Sequence, residues 1–463
     1  MKKYIQYIGL TLAVCLGFSC GDDFLDLSDP QEVTSEDFLL TVDDFEANMT
    51  GGYSLLQQAD WYGRYMLLIP DVMGVDVKQN ASANRGAAWA EFSGAPTTTQ
   101  NENREFWKEI YEGIGNMNLM INADFTPIES REAEFNSIIG QAHAYRALAY
   151  FDLVRLFAQP YNFTGDAGHI GVPVITTFDT ELLPERNTVA QVYDQIVEDF
   201  LVAIDMIPEG TGGANRITRE AAQALLSRVY LYMEDYENAE SLATEVIESG
   251  RYALVDSGNY ANQFYPGGSS EAIFEIEFSL ADNPGANHIG GMYKASGYGD
   301  YLPSQDLLDL LDPSDVRSTI FALDDGLDGS IYGSADGIGR RVNKYPSEGA
   351  DNATDNVPVI RLSEMYLIRA EARVKKATPD GSGAQSDINF LRQKRWAAAA
   401  DVTVTGADLI TEILEERRRE LCFEGHGVFD LNRNKLNLSR QDCTAPDDAC
   451  FRTYPDDRFI LAI

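Results

Sequence analysis

At 463 residues the chain is too long for one compact core, so several domains or a stacked repeat are expected. Its 73 acidic residues against 36 basic ones give a formal net charge of −37. That balance argues against nucleic acid, which needs a basic face, and disfavours a strongly anionic ligand unless a local basic patch overrides the bulk field. The four histidines, His143, His169, His288 and His426, show no metal-ligand spacing, so no zinc chemistry and no cofactor are expected.

The N-terminus reads as an export signal over residues 1–19. Lys2 and Lys3 precede an apolar stretch from Ile5 to Phe18 that is too short and interrupted to cross a bilayer, and Ser19 supplies a small residue for cleavage. Cys20 is then either an ordinary residue near the cut or a lipidated first residue. The acidic, loop-like Gly21–Pro30 suits a tether behind an acyl anchor and favours lipidation of Cys20, with the tether running over residues 20–42. No other segment is long and apolar enough to span a membrane.

Helical patterning begins at "NREFWKEIYEGIGNMNLMINADF", where Trp107, Ile110, Tyr111, Ile114, Met117 and Ile121 share a stripe. It continues through Ile138, Ala142, Tyr145, Ala149, Leu153 and Leu156, stopping near Pro160. A further helix starts after Asn187 or Thr188 as N-cap and stops at Pro208. "TREAAQALLSRVYLYMEDYENAESLATEVIESG" reads as two helices joined near Glu234–Tyr236 and ended by Gly250, with small residues where tetratricopeptide helices approach closely. Antiparallel pairs stacked in series fit this pattern.

The middle differs. "EAIFEIEF" alternates apolar Phe274, Ile276 and Phe278 with Glu275 and Glu277, predicting a half-exposed strand. Gly, Asn, Asp and Tyr dominate from there to about Tyr345. "LDDGLDGSIYGSADG" is similar to a calcium loop but lacks the third-position ligand and the closing Glu, so Asp324, Asp325 and Asp328 read as a solvated turn; a structural calcium ion is not predicted. Helices return in "VIRLSEMYLIRAEARVKK", "AQSDINFLRQKRW" and "ADLITEILEERRRELCFEG". In the last, Ile410, Ile413, Leu414, Arg417 and Leu421 share a face. Arg417 there is read as the partner of nearby carboxylates such as Glu416, Glu420 or Glu424 rather than as a phosphate clamp. Cys422 on that face is a core residue, while Cys443 and Cys450, close together in a Pro/Asp loop of an exported chain, read as a disulfide.

Taken in order, the blocks "CGDDFLDLSDP", "AHAYRALAYFDLVRLFAQPY", "RNTVAQVYDQIVEDFLVAIDMIP", "RITREAAQALLSRVYLY", "YENAESLATEVIESGRYAL", "VIRLSEMYLIRAEA", "INFLRQKR" and "ILEERRRELCFEGHGVFDLNR" resemble the RagB/SusD-like outer-membrane lipoproteins of the Bacteroidetes. The resemblance implies a mainly α, tetratricopeptide-like scaffold with an irregular ligand-binding half and a few short strands. One domain over 43–463 is expected, with helical blocks at about 103–250 and 357–433 and loop-rich excursions at about 60–102 and 255–345. It also implies a lipid anchor at Cys20 facing the cell exterior, with Asp22–Asp23 similar to a surface-export tag, and a TonB-dependent SusC-like porin as partner. Members deliver glycans, or in some cases peptides, and do no chemistry. The family pattern closes with a Pro-rich segment and an Asn-Pro-Gly-Tyr-like tail; this chain departs from it, stopping at "RFILAI".

The family blocks are scaffold, so the ligand site is argued from chemistry. A sugar receptor needs exposed rings beside planar amide, carboxylate or guanidinium groups. Trp61, Trp107 and Trp396 read as packing. Trp89 lies in the polar stretch "VDVKQNASANRGAAWAEFSGAPTTTQN" with no helical period, and is read as a stacking residue with Asp76, Asn80, Asn84 and Arg85 as hydrogen-bonding neighbours. "GGMYKASGYGDYLPSQ" adds Tyr293, Tyr298 and Tyr301 as a second surface. A non-catalytic surface glycan-binding protein is the leading expectation. A peptide-binding member would favour main-chain contacts over aromatic rings. A glycoside hydrolase would need a carboxylate pair that no motif isolates. A generic helical adaptor would leave the aromatic loops without a role.

Overall fold

The computed structural model describes residues 38–80, 83, 85–91, 99–179, 181–265, 268–328, 338–347, 353–441, 443 and 447–461. Cys20, Asp22, Asp23 and Asn84 lie outside them.

The elements in chain order are α1 (Val42–Leu56), α2 (Tyr65–Val72), β1 (Val77–Gln79), α3 (Ala87–Glu91), α4 (Thr99–Ile121), α5 (Glu132–Phe157), α6 (Val189–Met206), α7 (Arg219–Tyr232), α8 (Tyr236–Glu248), β2 (Ala272–Ile276), α9 (Ile289–Tyr293), β3 (Tyr301–Pro303), α10 (Gln305–Leu308), β4 (Phe321–Asp328), β5 (Ile338–Val342), β6 (Val357–Arg361), α11 (Leu362–Lys375), α12 (Gly381–Arg395), α13 (Ala407–Leu421), α14 (Gly427–Arg433), β7 (Leu438–Ser439), α15 (Asp447–Cys450) and β8 (Phe451–Arg452). The strands form two-stranded antiparallel pairs: β1–β3, β2–β6, β4–β5 and β7–β8.

Helix boundaries follow local chemistry. Thr188, not Asn187, caps α6: its hydroxyl accepts from the Gln191 amide while Gln191 answers at the cap backbone, satisfying two donors that a helix start leaves unpaired. Thr218 and Asp235 cap α7 and α8, and Gly250, at φ +68°, follows the end of α8.

The helices stack in series, α4 on α5, α5 on α6, α6 on α7 and α7 on α8. The series then continues across about a hundred intervening residues, because α8 packs on α11 and α11 on α12 and α13. The two helical blocks are therefore one scaffold. Buried ion pairs rivet its joints. Arg146 spans α4, α5 and α6, donating to Asp199 through Nε (2.9 Å) and Nη2 (2.7 Å) and to Asn118 through Nη1 (2.7 Å). Arg228 on α7 grips Glu364 on α11 at 2.7 and 2.5 Å, and Arg433 on α14 grips Glu371 at 2.6 and 2.8 Å. Burial alone would raise the Glu364 carboxyl, but the Arg228 charge and hydrogen bonds outweigh it and bring it down to about 2.

Three expectations are corrected here. The alternating strand is not half-exposed: every residue of β2 is buried, because Glu275 accepts from the Asn356 amide at 2.7 Å and so enters the interior with a partner. Asp324, Asp325 and Asp328 do not form a turn: they lie in β4, where Asp324 is registered with Gly339 and Asp328 with Ile338 of β5. Arg417 pairs with Asp430 of α14 (3.2 Å) instead of a carboxylate of its own helix. Glu416, Glu420 and Glu424 are instead taken by other cations. Glu420 receives Arg317, Arg361 and Arg395 at 3.3, 2.6 and 3.0 Å; Glu416 receives Arg317 and Arg392; Glu424 receives Lys344 and Arg361. This hub fastens the base of the irregular half to α12 and α13. Cys422 is buried and unbridged, and Cys443 and Cys450 are joined by a disulfide.

Candidate ligand-binding site

The β1–β3 pair builds the site. Its register sets Val77 opposite Pro303 and Gln79 opposite Tyr301, and the pairing runs on when the Asn80 amide donates to the Asp300 carbonyl at 2.7 Å. The two loops leaving this ladder, each singled out by its aromatic residues, therefore face one another. Asn80 is buried and donates through Nδ2 to the Gly299 carbonyl, so it shapes the turn.

At the surface Arg85 lies flat on the Tyr298 ring, its guanidinium carbon 3.8 Å from the centroid. One Arg85 nitrogen donates to Asp300 at 2.7 Å, and that hydrogen bond raises the guanidinium further above its ordinary value. Half of the Arg85 side chain stays in solvent, and Tyr298 remains 38% exposed. The strip continues past the ring. The Tyr298 hydroxyl donates to Asn287 Oδ1 (3.3 Å), which also accepts from Arg64 (3.1 Å), and Arg64 reaches Asp60 (3.5 Å). Burial raises the carboxyls of Asp60 and neighbouring Glu102, with the Arg64 charge opposing it in both. A phenol, two guanidiniums, an amide and carboxylates thus lie side by side, the donor–acceptor set that hydroxyl pairs of a sugar require.

The other expected ring contacts lie beneath this strip and are corrected. Trp89 is 5% exposed: its Nε1 donates to Asn103 (3.1 Å) and its ring meets Tyr65 edge-on at 5.3 Å, so it offers no face to a ligand. Tyr293 and Tyr301 are each 1% exposed. Tyr293 packs edge-on to Phe423, and Tyr301 donates to the Arg85 carbonyl at 2.9 Å. Asp76 is buried and held by Arg418 at 2.6 Å. Gly86 explains the arrangement. It sits at φ +67°, and a Cβ there would lie 1.9 Å from the Tyr301 hydroxyl and 2.9 Å from the Trp89 ring. Only glycine lets the backbone descend onto those two rings and turn Arg85 outward. Trp61, donating to Asp152, is core as expected; Trp107 packs edge-on against Phe157, and Trp396 is half-buried with its Nε1 donating to the Ser314 hydroxyl.

Sequence reasoning missed Arg64, Asp60, Asn287 and Glu102. Asn287 stands in the turn "NPGAN" just before the tyrosine-rich loop, which is a usable signal; Arg64, sandwiched in "WYGRYM", reads as core because its neighbours do.

This architecture defines a tetratricopeptide-like helical-pair protein with a loop-rich second half. The family model "Starch-binding associating with outer membrane" matches residues 23–231, and the SusD family model matches residues 324–451. The chain is 25% identical over 484 residues to SusD-like protein P2 of Formosa agariphila, covering 94% of this chain and 91% of that protein. A 110-residue stretch, 22% of this chain and 18% of the relative, is 36% identical to the starch-binding protein SusD of Bacteroides thetaiotaomicron. A crystal structure of a SusD superfamily protein from Bacteroides thetaiotaomicron superposes with a TM-score of 0.81 at 31% identity, covering 91% of this chain and 96% of that one. The chain belongs to the SusD/RagB-like family, a carbohydrate-binding family associated with the outer membrane.

Proposed function

We propose that this protein is a non-catalytic glycan-binding lipoprotein, anchored through Cys20 at the cell exterior, that hands an oligosaccharide to a TonB-dependent SusC-like porin. The Tyr298–Arg85 stack carries the reading: it is a large planar surface left open to solvent and flanked by Asn287 and Arg64. A sugar's C–H face covers the stack while its hydroxyls meet Asn287 and Arg64. Trp89, Tyr293 and Tyr301 act from below, holding the two loops in place. The family description and the starch-binding relative support an oligosaccharide over a peptide as ligand.

Calorimetric titration with a panel of linked gluco-oligosaccharides tests the site. Tyr298→Ala is expected to weaken binding by about 2 kcal/mol, or about thirtyfold, with the melting temperature unchanged. Binding equal to the parent would move the site elsewhere. Prolonged incubation should create no new reducing ends; ends that vanish in Glu102→Gln would favour a hydrolase. Cys20→Ala should release the protein from the membrane fraction or leave it unprocessed, and continued attachment would overturn the anchor.

A further inference from the structure

Helices α2 and α3 both begin at the ligand strip and end on the same guanidinium. Arg64 is the N-cap residue of α2, and Arg85 and Gly86 lead into α3, so each of these strip arginines stands at the near end of its own helix. At the far ends stands the half-buried Arg440, which follows β7. Its Nη2 donates to the carbonyl of Val72, the last residue of α2, at 2.6 Å, and its Nε to the Gly74 carbonyl at 2.9 Å. Its Nη1 donates to the Ala90 carbonyl of α3 at 2.6 Å. A helix leaves its last carbonyls without partners inside the helix, and the planar donor fork of an arginine can serve two such ends at once.

Helix α2 is fixed independently. Its Asp71 accepts from the backbone amides of Gly425, His426 and Gly427 at 3.0, 3.1 and 2.9 Å, at the start of α14. Helix α3 is only five residues long, too short to hold its place by its own hydrogen bonds. Arg440 therefore sets α3 against a fixed α2. Arg440 is in turn braced from behind. β7 pairs with β8, the Arg440 amide donates to the Cys450 carbonyl at 2.9 Å, and Nη1 also reaches the Ala449 carbonyl at 3.3 Å. Cys450 is bridged to Cys443, and α15, which contains Ala449 and Cys450, packs on α3.

We infer that Arg440, braced by the Cys443–Cys450 bridge, is a positioning residue for ligand binding: by tying the far ends of α2 and α3 together it fixes the separation of Arg64 and Arg85 across the strip. This role rests on the proposed glycan function and adds to it a determinant of affinity that touches no ligand. Binding groups must be held within about 0.5 Å of their productive places, so freeing α3 costs affinity even where the scaffold stays folded. Charge alone does not suffice. A lysine at this position keeps the charge but offers a single nitrogen, which cannot span both helix ends.

Calorimetric titration of the mature protein with maltohexaose and laminarihexaose tests the effect on affinity, and amide hydrogen exchange without ligand tests the clamp by itself. Arg440→Lys is expected to weaken binding about tenfold, a loss of about 1.4 kcal/mol, at a temperature far below its melt. It should also speed exchange of the Trp89 and Ala90 amides, which donate to Gly86, while α5 to α8 exchange as in the parent. Cys443→Ser/Cys450→Ser should weaken binding by a smaller factor; reducing the parent should reproduce that loss and leave the serine variant unchanged. In an Arg85→Ala background the loss from Arg440→Lys should shrink, because the group it positions is gone. Parent-like affinity in Arg440→Lys, exchange that rises evenly through the scaffold, or full additivity with Arg85→Ala would each overturn the proposal, and parent-like affinity in the serine variant would overturn the brace. A parent that binds neither sugar counts against the glycan function instead, and parent-like exchange at Trp89 and Ala90 in Arg440→Lys then overturns the clamp on its own.

Discussion

The hub around Glu420 and the strip around Tyr298 use the same side chain in opposite ways. At the hub, Arg317, Arg361 and Arg395 are buried and their guanidiniums are ringed by carboxylates from α13 and the loops, among them Glu271 just before β2. At the strip, Arg85 spends one nitrogen on Asp300, lays its flat face on Tyr298 and leaves the rest in water. Exposure separates the two roles. A guanidinium enclosed by carboxylates holds elements together, and one half open beside a ring is available to a ligand. The contrast also shows how a chain of such negative charge can bury many arginines: the acids that give the bulk charge are partly consumed inside.

The comparison can be broken most directly at the hub. Glu420→Gln should lower stability by about 3–5 kcal/mol, because it strands buried guanidiniums without their counter-charge; thermal and denaturant melts measure it. Trp89→Ala belongs on the same side, with an expected loss of about 3–5 kcal/mol for deleting a buried aromatic ring. A Trp89→Ala protein that melts like the parent yet loses glycan binding would return that ring to the ligand surface. Next in size is Tyr298→Ala, set out above. The smallest effect falls on Arg85→Ala, which should leave the melt within about 1 kcal/mol, as an exposed pair does, while still weakening glycan binding.

Acidity sharpens the same contrast between enclosed carboxylates. Glu364 is held at about 2, below its ordinary 4.5, so its contribution is present above 4.5 and is lost as the pH falls through about 2. Asp71 goes the other way: burial pushes it up to about 7 despite three backbone amides, so its contribution is present below 3.8 and is lost as the pH rises through about 7. Stability measured from pH 2 to 8 should therefore show Glu364→Gln flattening the acid limb and Asp71→Asn flattening the slope toward neutrality. Unchanged limbs in both variants would mean that neither group titrates as its surroundings dictate.

What the sequence made legible was local. The helical stripes, a cap at Asn187 or Thr188, the α7–α8 junction and the stop at Gly250 all depend on residues within a turn of one another. The order of family blocks added the scaffold. Long-range register was not legible. Nothing in the polar run around Trp89 announces that the five-residue α3 rests on Tyr65 and Asn103, since so short a helix displays no period. Nor could alternation in β2 reveal that Glu275 would find Asn356 some eighty residues away. Arg85 and Tyr298 were both picked for their chemistry, but only the β1–β3 ladder brings them face to face, and it is the same ladder that pushes Tyr301 and Trp89 underneath.

The junction of α8 with α11 has a consequence for how such proteins diversify. The described residues between Glu248 and Val357 leave the helical stack without interrupting it, because α8 packs directly on α11. The β2–β6 pair closes the neck of that excursion, and the Glu420 hub ties it down. Mutations that lengthen, shorten or rewrite the excursion above the neck leave the helical register intact. Selection can therefore rework what the molecule recognises while inheriting unchanged the frame that presents it, a division that lets one ancestor seed many specificities.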